Sequence, residues 1–409
     1  MRSIHFLHLL FFLLVSLLPV ACGDKDDDDT PVVPPYRQTV LVYMAADNSL
    51  TSFGRDDLAE MLEGVQAVQQ EHTHLLVYID FGGEARLVEL VIKKDGTSGE
   101  KLLKTYPGAD RNSVGLTEMQ EVLTDAFASA DYQADKYGFV FWSHGDGWIP
   151  SSNPQTRWIG QDYDASGSEQ YMNIADLRTA LQVAPHLDFI LFDACFMQAV
   201  EVAYELRECA DYFIASPTEI PGPGAPYQVV VPCMFADNAA TGIAAAYYEY
   251  YAARYDKTIE VGDWNADDSD GNWRAGVSVA VLKSSALQDL AVATRQALAG
   301  READVEALAA DLFNYDKRSS SSNHRYYDMQ QLVQAVADEA AYLSWKQAFD
   351  AARIYWNTTE KNYSSYGNTF SMEGTNGVSH YLPSSLKAAA LSVYSQTSWY
   401  QAAGIEALF

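Results

Sequence analysis

Apolar residues along this chain follow two rhythms. Short continuous runs at 39–44, 75–79, 137–142, 187–192 and 212–216 suit buried strands, because a strand covered on both faces loses the polar alternation of a half-exposed one. Between them the spacing shifts to three and four. Leu58, Met61, Leu62 and Val65 place an amphipathic helix over 56–69, and similar patterns predict helices over 117–128 and 173–182. Segments 86–92 and 101–106, joined around Asp95 and Gly96, read as a hairpin. This alternation predicts an α/β fold, a mostly parallel sheet flanked by helices.

After about residue 235 the pattern becomes mainly helical, over 239–255, 287–298, 305–313 and 328–354, with strand-like interruptions at 277–282 and 378–382. The expected organisation is a core over 37–235 followed by a helix-rich extension over 236–409, with no internal repeat.

Two of the apolar runs stop at reactive residues. One leads into Ser143, His144 and Gly145, the other into Asp193, Ala194 and Cys195. Ligands of parallel sheets gather just beyond the carboxyl ends of the strands, so imidazole and thiol are expected to meet there as base and nucleophile of a cysteine hydrolase. A free thiol titrates at about 8.5 and attacks as thiolate. Behind Cys195, the residues Phe196, Met197, Val200, Ala203 and Tyr204 recur at helical spacing. A helix is therefore expected to start at the thiol and to favour thiolate through its dipole. Cys209 and Cys233 read as small buried hydrophobes, and His72, His74, His186 and His380 as structural.

With 55 acidic against 27 basic side chains and a net charge of −28, the surface should repel phosphate backbones and anionic lipids, so nucleic acid is not an expected partner. Beyond Cys22 only Cys195, Cys209 and Cys233 remain. An odd number excludes a fully paired disulfide framework.

Arg2, an apolar run over 4–20 and the small Ala21 describe an export signal over 1–21. The acidic, proline-rich stretch 22–36 reads as an extended tether. Leu18-Pro19-Val20-Ala21-Cys22 resembles the bacterial lipoprotein box, with Pro19 where that box usually carries Leu. The resemblance implies that Cys22 is lipidated and becomes the mature amino terminus; an ordinary secretory signal is the alternative. The acidic start of the tether also resembles the tag that sends some lipoproteins to the outer face of the outer membrane. The expected location is an exported outer-membrane lipoprotein, surface-exposed or else periplasmic, touching the membrane only through its lipid.

Cys195 follows His144 by 51 positions, close to the roughly 50 of caspase-like cysteine proteases. His144-Gly145, Asp193-Ala194-Cys195, the stretch 196–206, the segment 41–48 with Asp47 and Asn48, and the segment 216–227 together resemble the clostripain family of cysteine peptidases, which share the caspase fold. The resemblance is good over 39–227 and looser beyond. It implies a His144–Cys195 dyad, an oxyanion site made by the backbone N–H groups of Gly145 and Cys195, and a protein or peptide substrate. It also implies that Asp193 lines the pocket for the side chain before the scissile bond and selects Arg or Lys. Strand alternation puts Asp193 on the same side as Cys195, though it could instead only cap backbone N–H groups.

The family commonly matures by cutting itself between histidine and cysteine. Between Gly145 and Ala194 the strongly basic residues are Arg157 and Arg178; Arg178 falls in a predicted helix, so autocleavage is expected after Arg157, in a loop. The dyad chemistry requires no cofactor. Calcium dependence is known in the family, and 263–271 resembles a calcium loop. Aligning Gly271 on the required glycine, however, puts Ala266 at the first ligand position and Val277 where Glu belongs. No zinc-type Cys and His spacing occurs. Two other readings stay open: a protein-binding lipoprotein that keeps the fold without catalysis, and a cell-wall amidase or transpeptidase on the same dyad.

Overall fold

The computed structural model describes residues 37–68, 71–108, 111–148, 158–259, 273–317, 325–365, 369–383 and 388–409. Their centre is a nine-stranded sheet. In chain order its first strands are β1 (Gln38–Ala45), β2 (Thr73–Asp80), β3 (Ala85–Ile92), β4 (Ser98–Tyr106) and β5 (Lys136–Trp142). A two-stranded hairpin, β6 (Ile159–Tyr163) and β7 (Glu169–Met172), stands apart from it. The sheet continues with β8 (Leu187–Asp193), β9 (Ala210–Ala215) and β10 (Ser278–Lys283). After the short β11 (Tyr326–Asp328) it ends with β12 (Arg353–Thr358).

The spatial order is β12-β10-β9-β8-β5-β1-β2-β3-β4. Five central strands, β2-β1-β5-β8-β9, run parallel, and antiparallel strands close both edges. The parallel strands are the continuous apolar runs of the sequence, and the reason is burial on both faces. Along β1, Leu41, Tyr43 and Ala45 enter one core while Val40, Val42 and Met44 enter the other. One face is covered by α1 (Thr51–Gly64), with Leu58 and Met61 pointing in. The opposite face is covered by α2 (Leu116–Phe127), α3 (Ile174–Leu181) and α4 (Val200–Leu206). On the α1 side, α5 (Tyr227–Met234) and α6 (Ala239–Ala252) complete the layer.

The chain after residue 235 is helix-rich, but it does not stand apart from the core. Its strands β10 and β12 extend the central sheet beyond β9, and its side chains Trp345, Phe349 and Trp399 belong to the core shared with α2 to α4. The helix expected over 328–354 is two helices, Met329–Val336 and Glu339–Ala352. The break is local chemistry: Asp338 adopts extended backbone and its carboxylate caps the second helix by accepting from Ala341 N–H at 2.9 Å. At Arg353 that second helix gives way to strand β12 rather than to more helix.

The helix expected to begin at Cys195 begins instead at Val200. Phe196 takes a left-handed φ of 62°, and the turn pairs with the segment after β9, Phe196 N–H donating to Thr218 at 2.9 Å and Gln198 N–H to Ser216 at 3.0 Å. Its ring stacks on Tyr326. The apolar spacing of 196–204 thus reflects burial of a turn followed by a short helix.

Candidate active site

Register places the two reactive residues. Trp142 of β5 pairs with Asp193 of β8, so His144 and Cys195, each two positions further on, leave the sheet side by side at its carboxyl edge. Both line one cavity of about 530 Å³. Gly145 lies against the Cys195 backbone, where a Cβ would stand 2.7 Å from the Cys195 carbonyl oxygen. Any larger residue would separate the two strand ends.

His144 Nε2 shares a hydrogen bond of 2.8 Å with Ser49 Oγ, from the turn between β1 and α1. The Cys195 thiol accepts from the N–H of Ile220 at 3.5 Å. No hydrogen bond joins thiol and imidazole directly, which is ordinary for a substrate-free site. Burial pushes the thiol up to about 12, with the nearby carboxylates of Glu219, Asp146 and Asp193 adding to the effect. Burial also lowers the imidazole below its usual range, opposed by Glu169. Burial thus favours the uncharged form of both groups. The helix-dipole support expected for a thiolate is not at hand, because the helix starts five residues beyond Cys195, and the described cavity lining contains no Lys or Arg.

Three carboxylates line the cavity, and each is held differently. Asp146 pairs with Arg325 at 3.3 Å. Asp193 is 2% exposed; its oxygens accept from Ala225 N–H at 3.0 Å, Tyr227 OH at 2.9 Å and Tyr247 OH at 3.4 Å. Burial holds Asp193 above the usual carboxylate range. Beneath it lies Asp57, likewise raised by burial and hydrogen-bonded by Trp142 Nε1 at 2.6 Å. Gly224, with φ of 71°, passes so close that a Cβ would meet Asp193 Oδ2 at 2.8 Å. Glu219 stands nearest the thiol in effect and is clipped by the N–H of Ser365, at 2.8 Å, and by its hydroxyl.

Sequence reasoning named His144, Gly145, Asp193 and Cys195 as candidates, and the structure brings all four to one cavity. It missed Ser49 and Glu219, although both lie in or beside the segments that carried the resemblance. It also missed Trp273, Tyr363 and Ser365, which come from far along the chain and carry no local signal. Cys22, Arg157 and the whole of the 263–271 loop lie outside the described residues. Among the described residues no group of three His, Cys, Asp or Glu side chains is arranged to hold a metal ion.

Fold and site together define a cysteine peptidase on a caspase-like sheet. The chain belongs to the clostripain family, whose model matches residues 42–404. It is similar to a secreted C11 cysteine protease from Bacteroides thetaiotaomicron, solved with an irreversible peptide inhibitor: 45% identity, TM-score 0.81, covering 91% of this chain and 100% of that one. An inactive zymogen C11 protease from Parabacteroides distasonis is 31% identical, with TM-score 0.74, over 91% and 99% of the two chains. Clostripain of Hathewaya histolytica is 26% identical over 218 residues, 47% of this chain and 41% of that protein, so the match spans less than half of the curated relative.

Proposed function

We propose that this chain is an exported cysteine endopeptidase that hydrolyses peptide bonds after Arg or Lys through a His144–Cys195 dyad. The observation that carries the proposal is the β5–β8 register, which delivers imidazole and thiol to one cavity at the sheet's carboxyl edge. In the reaction His144 takes the thiol proton as sulfur attacks the scissile carbonyl carbon. The carbonyl π pair moves to oxygen, and the backbone N–H groups of Gly145 and Cys195 receive that oxyanion. Neither N–H donates to a backbone acceptor among the described residues. Collapse breaks the C–N bond, the imidazolium returns its proton to the leaving amine, and water then hydrolyses the thioester with His144 as base.

Asp193 supplies negative charge at the end of the pocket that takes the side chain before the scissile bond. The bound peptide inhibitor of the Bacteroides relative supports a peptide substrate, and that relative's secreted state supports export, with Cys22 as the lipid-anchor candidate. The zymogen form of the Parabacteroides relative supports self-processing, which we place after Arg157. The dyad chemistry needs no cofactor, and no step of it depends on the calcium that the family implies.

The test compares the soluble chain from Tyr36 with its Cys195→Ala form on fluorogenic peptides ending in Arg, Lys, Asp or Leu, and reads intact mass. Cleavage after Arg or Lys by the wild type alone, with fragments split at Arg157, is the expected result. Cleavage that survives in Cys195→Ala would overturn the dyad, and ligated rather than hydrolysed products would make the chain a transpeptidase.

A further inference from the structure

The dyad is held by a third residue. We propose that Ser49 is the positioning residue of His144: its hydroxyl holds Nε2, leaving Nδ1 as the nitrogen that takes the Cys195 proton. This rests on the dyad reading above.

The geometry begins with a hydrogen bond of 2.8 Å between Ser49 Oγ and His144 Nε2. Ser49 is exposed, so its hydroxyl is not a core group satisfied in passing. It is aimed by its neighbour. Asn48, buried at 7% exposure, donates to the carbonyls of Ala45 at 3.0 Å and Gln161 at 2.8 Å, and its side-chain oxygen accepts from Leu50 N–H at 2.9 Å. Ser143, beside the histidine, donates to that same Ala45 carbonyl at 2.7 Å and accepts from Gln161 N–H at 3.1 Å. Thr51 closes the turn by donating to the carbonyls of Ala46 and Asn48. The ends of β1 and β5 are thus stitched to β6 by two buried side chains, and Ser49 and His144 project from the stitched segments towards each other.

The chemistry depends on which nitrogen is occupied. A neutral imidazole has one donor nitrogen and one acceptor. When Ser49 Oγ accepts from Nε2–H, the lone pair sits on Nδ1, ready for the thiol proton. Once protonated, both nitrogens are donors, and Ser49 stabilises the cation at Nε2. That support matters in a site where burial opposes an imidazolium. The other charged groups around it are Glu169, which favours the cation, and the cavity carboxylates Asp146, Asp193 and Glu219, none of which hydrogen-bonds the ring.

Ser49→Ala, Ser49→Thr and His144→Ala are compared with wild type by steady-state cleavage across pH and by 15N chemical shifts of the histidine ring. Ser49→Ala is expected to lower kcat roughly 10- to 100-fold, the effect of one hydrogen bond to a charged group, with KM little changed. The acid limb of its kcat profile moves to lower pH, because the imidazolium has lost a partner. The His144 ring signals shift from one tautomer to a mixture, and Ser49→Thr restores both properties. A kcat within twofold of wild type, or unchanged ring signals, would overturn the positioning role. Loss of activity without a ring or pH change would make Ser49 merely structural. If His144→Ala keeps full activity, the dyad itself fails, whereas the ring signals still report on Ser49.

Discussion

Gly145 and Cys195 touch through their backbones: a side chain begun at Gly145 would stand 2.7 Å from the carbonyl oxygen of Cys195 and 2.9 Å from Ala194 Cβ. Real Cβ atoms do not come so close, so the contact between the histidine and cysteine strand ends depends on hydrogen at this position. Gly145→Ala keeps the backbone N–H but pushes it away from Cys195, and is expected to lower kcat at least about 100-fold, on the scale of an oxyanion donor taken out of place, while melting falls by only a few degrees. Near-normal kcat in a folded Gly145→Ala protein would remove the proposed oxyanion role.

Burial and nearby carboxylates push the Cys195 thiol up, so its alkylation should be slow near neutrality. Burial holds it at about 12, and Glu219 is the leading carboxylate that adds to the shift. Iodoacetamide reaction is expected to keep rising above pH 9, and Glu219→Gln should speed it at each pH below the thiol's titration. A plateau reached below pH 7 would show a preformed thiolate–imidazolium pair and would contradict this electrostatic account.

Asp193 is proposed to read the basic side chain, and its carboxylate is already engaged by Ala225, Tyr227 and Tyr247. Asp193→Asn keeps the shape and an acceptor for Ala225 N–H but removes the charge. For Arg and Lys substrates kcat/KM should fall at least about 30-fold, the scale of a buried charge pair losing one partner. Cleavage of a neutral peptide should change much less. An equal loss on both substrates would assign Asp193 a purely structural part, as a cap on the Gly224–Ala225 turn.

Stability should rise as pH falls from 8 to about 5.5. Glu60, Asp162 and Glu201 are each pushed up to about 7, mainly by burial. The folded protein therefore binds these protons more tightly than the unfolded chain, and the penalty for ionising them is complete only above the folded values. For the fully buried Glu201 it is roughly 3 kcal/mol at pH 8. Its Oε1 accepts from Tyr381 N–H and Tyr394 OH, bonds that an amide oxygen preserves. Glu201→Gln should thus flatten the pH dependence of melting and raise the Tm at pH 8. A lower Tm for that variant at pH 8 would contradict the sign.

Much of the site was legible because it is local. The runs before His144 and Cys195 are apolar on both faces, as strands in the interior of a parallel sheet are; from that the strand ends, and the residues just past them, could be read. The sheet edges were harder. β12 comes directly after a helix and none of its residues is fully buried, so its periodicity carries no strand signal: the helix expected over 328–354 takes in its first two residues and the rest has no assigned element. Phe196 and Met197 have helical spacing with Val200, yet the backbone between them turns through a left-handed residue to meet Thr218 and Ser216.

What the sequence determined by itself, then, was the sheet's parallel centre and the family resemblance; local pattern made His144 and Cys195 candidates, and the resemblance added Gly145 and Asp193. Tertiary structure alone decided the burial of the thiol, the partner of the imidazole and the walls of the pocket. Those depend on distances between segments far apart in the chain. Ser49 reaches His144 across 95 positions and Ser365 clips Glu219 across 146, and charge and burial act through space with no trace in local periodicity.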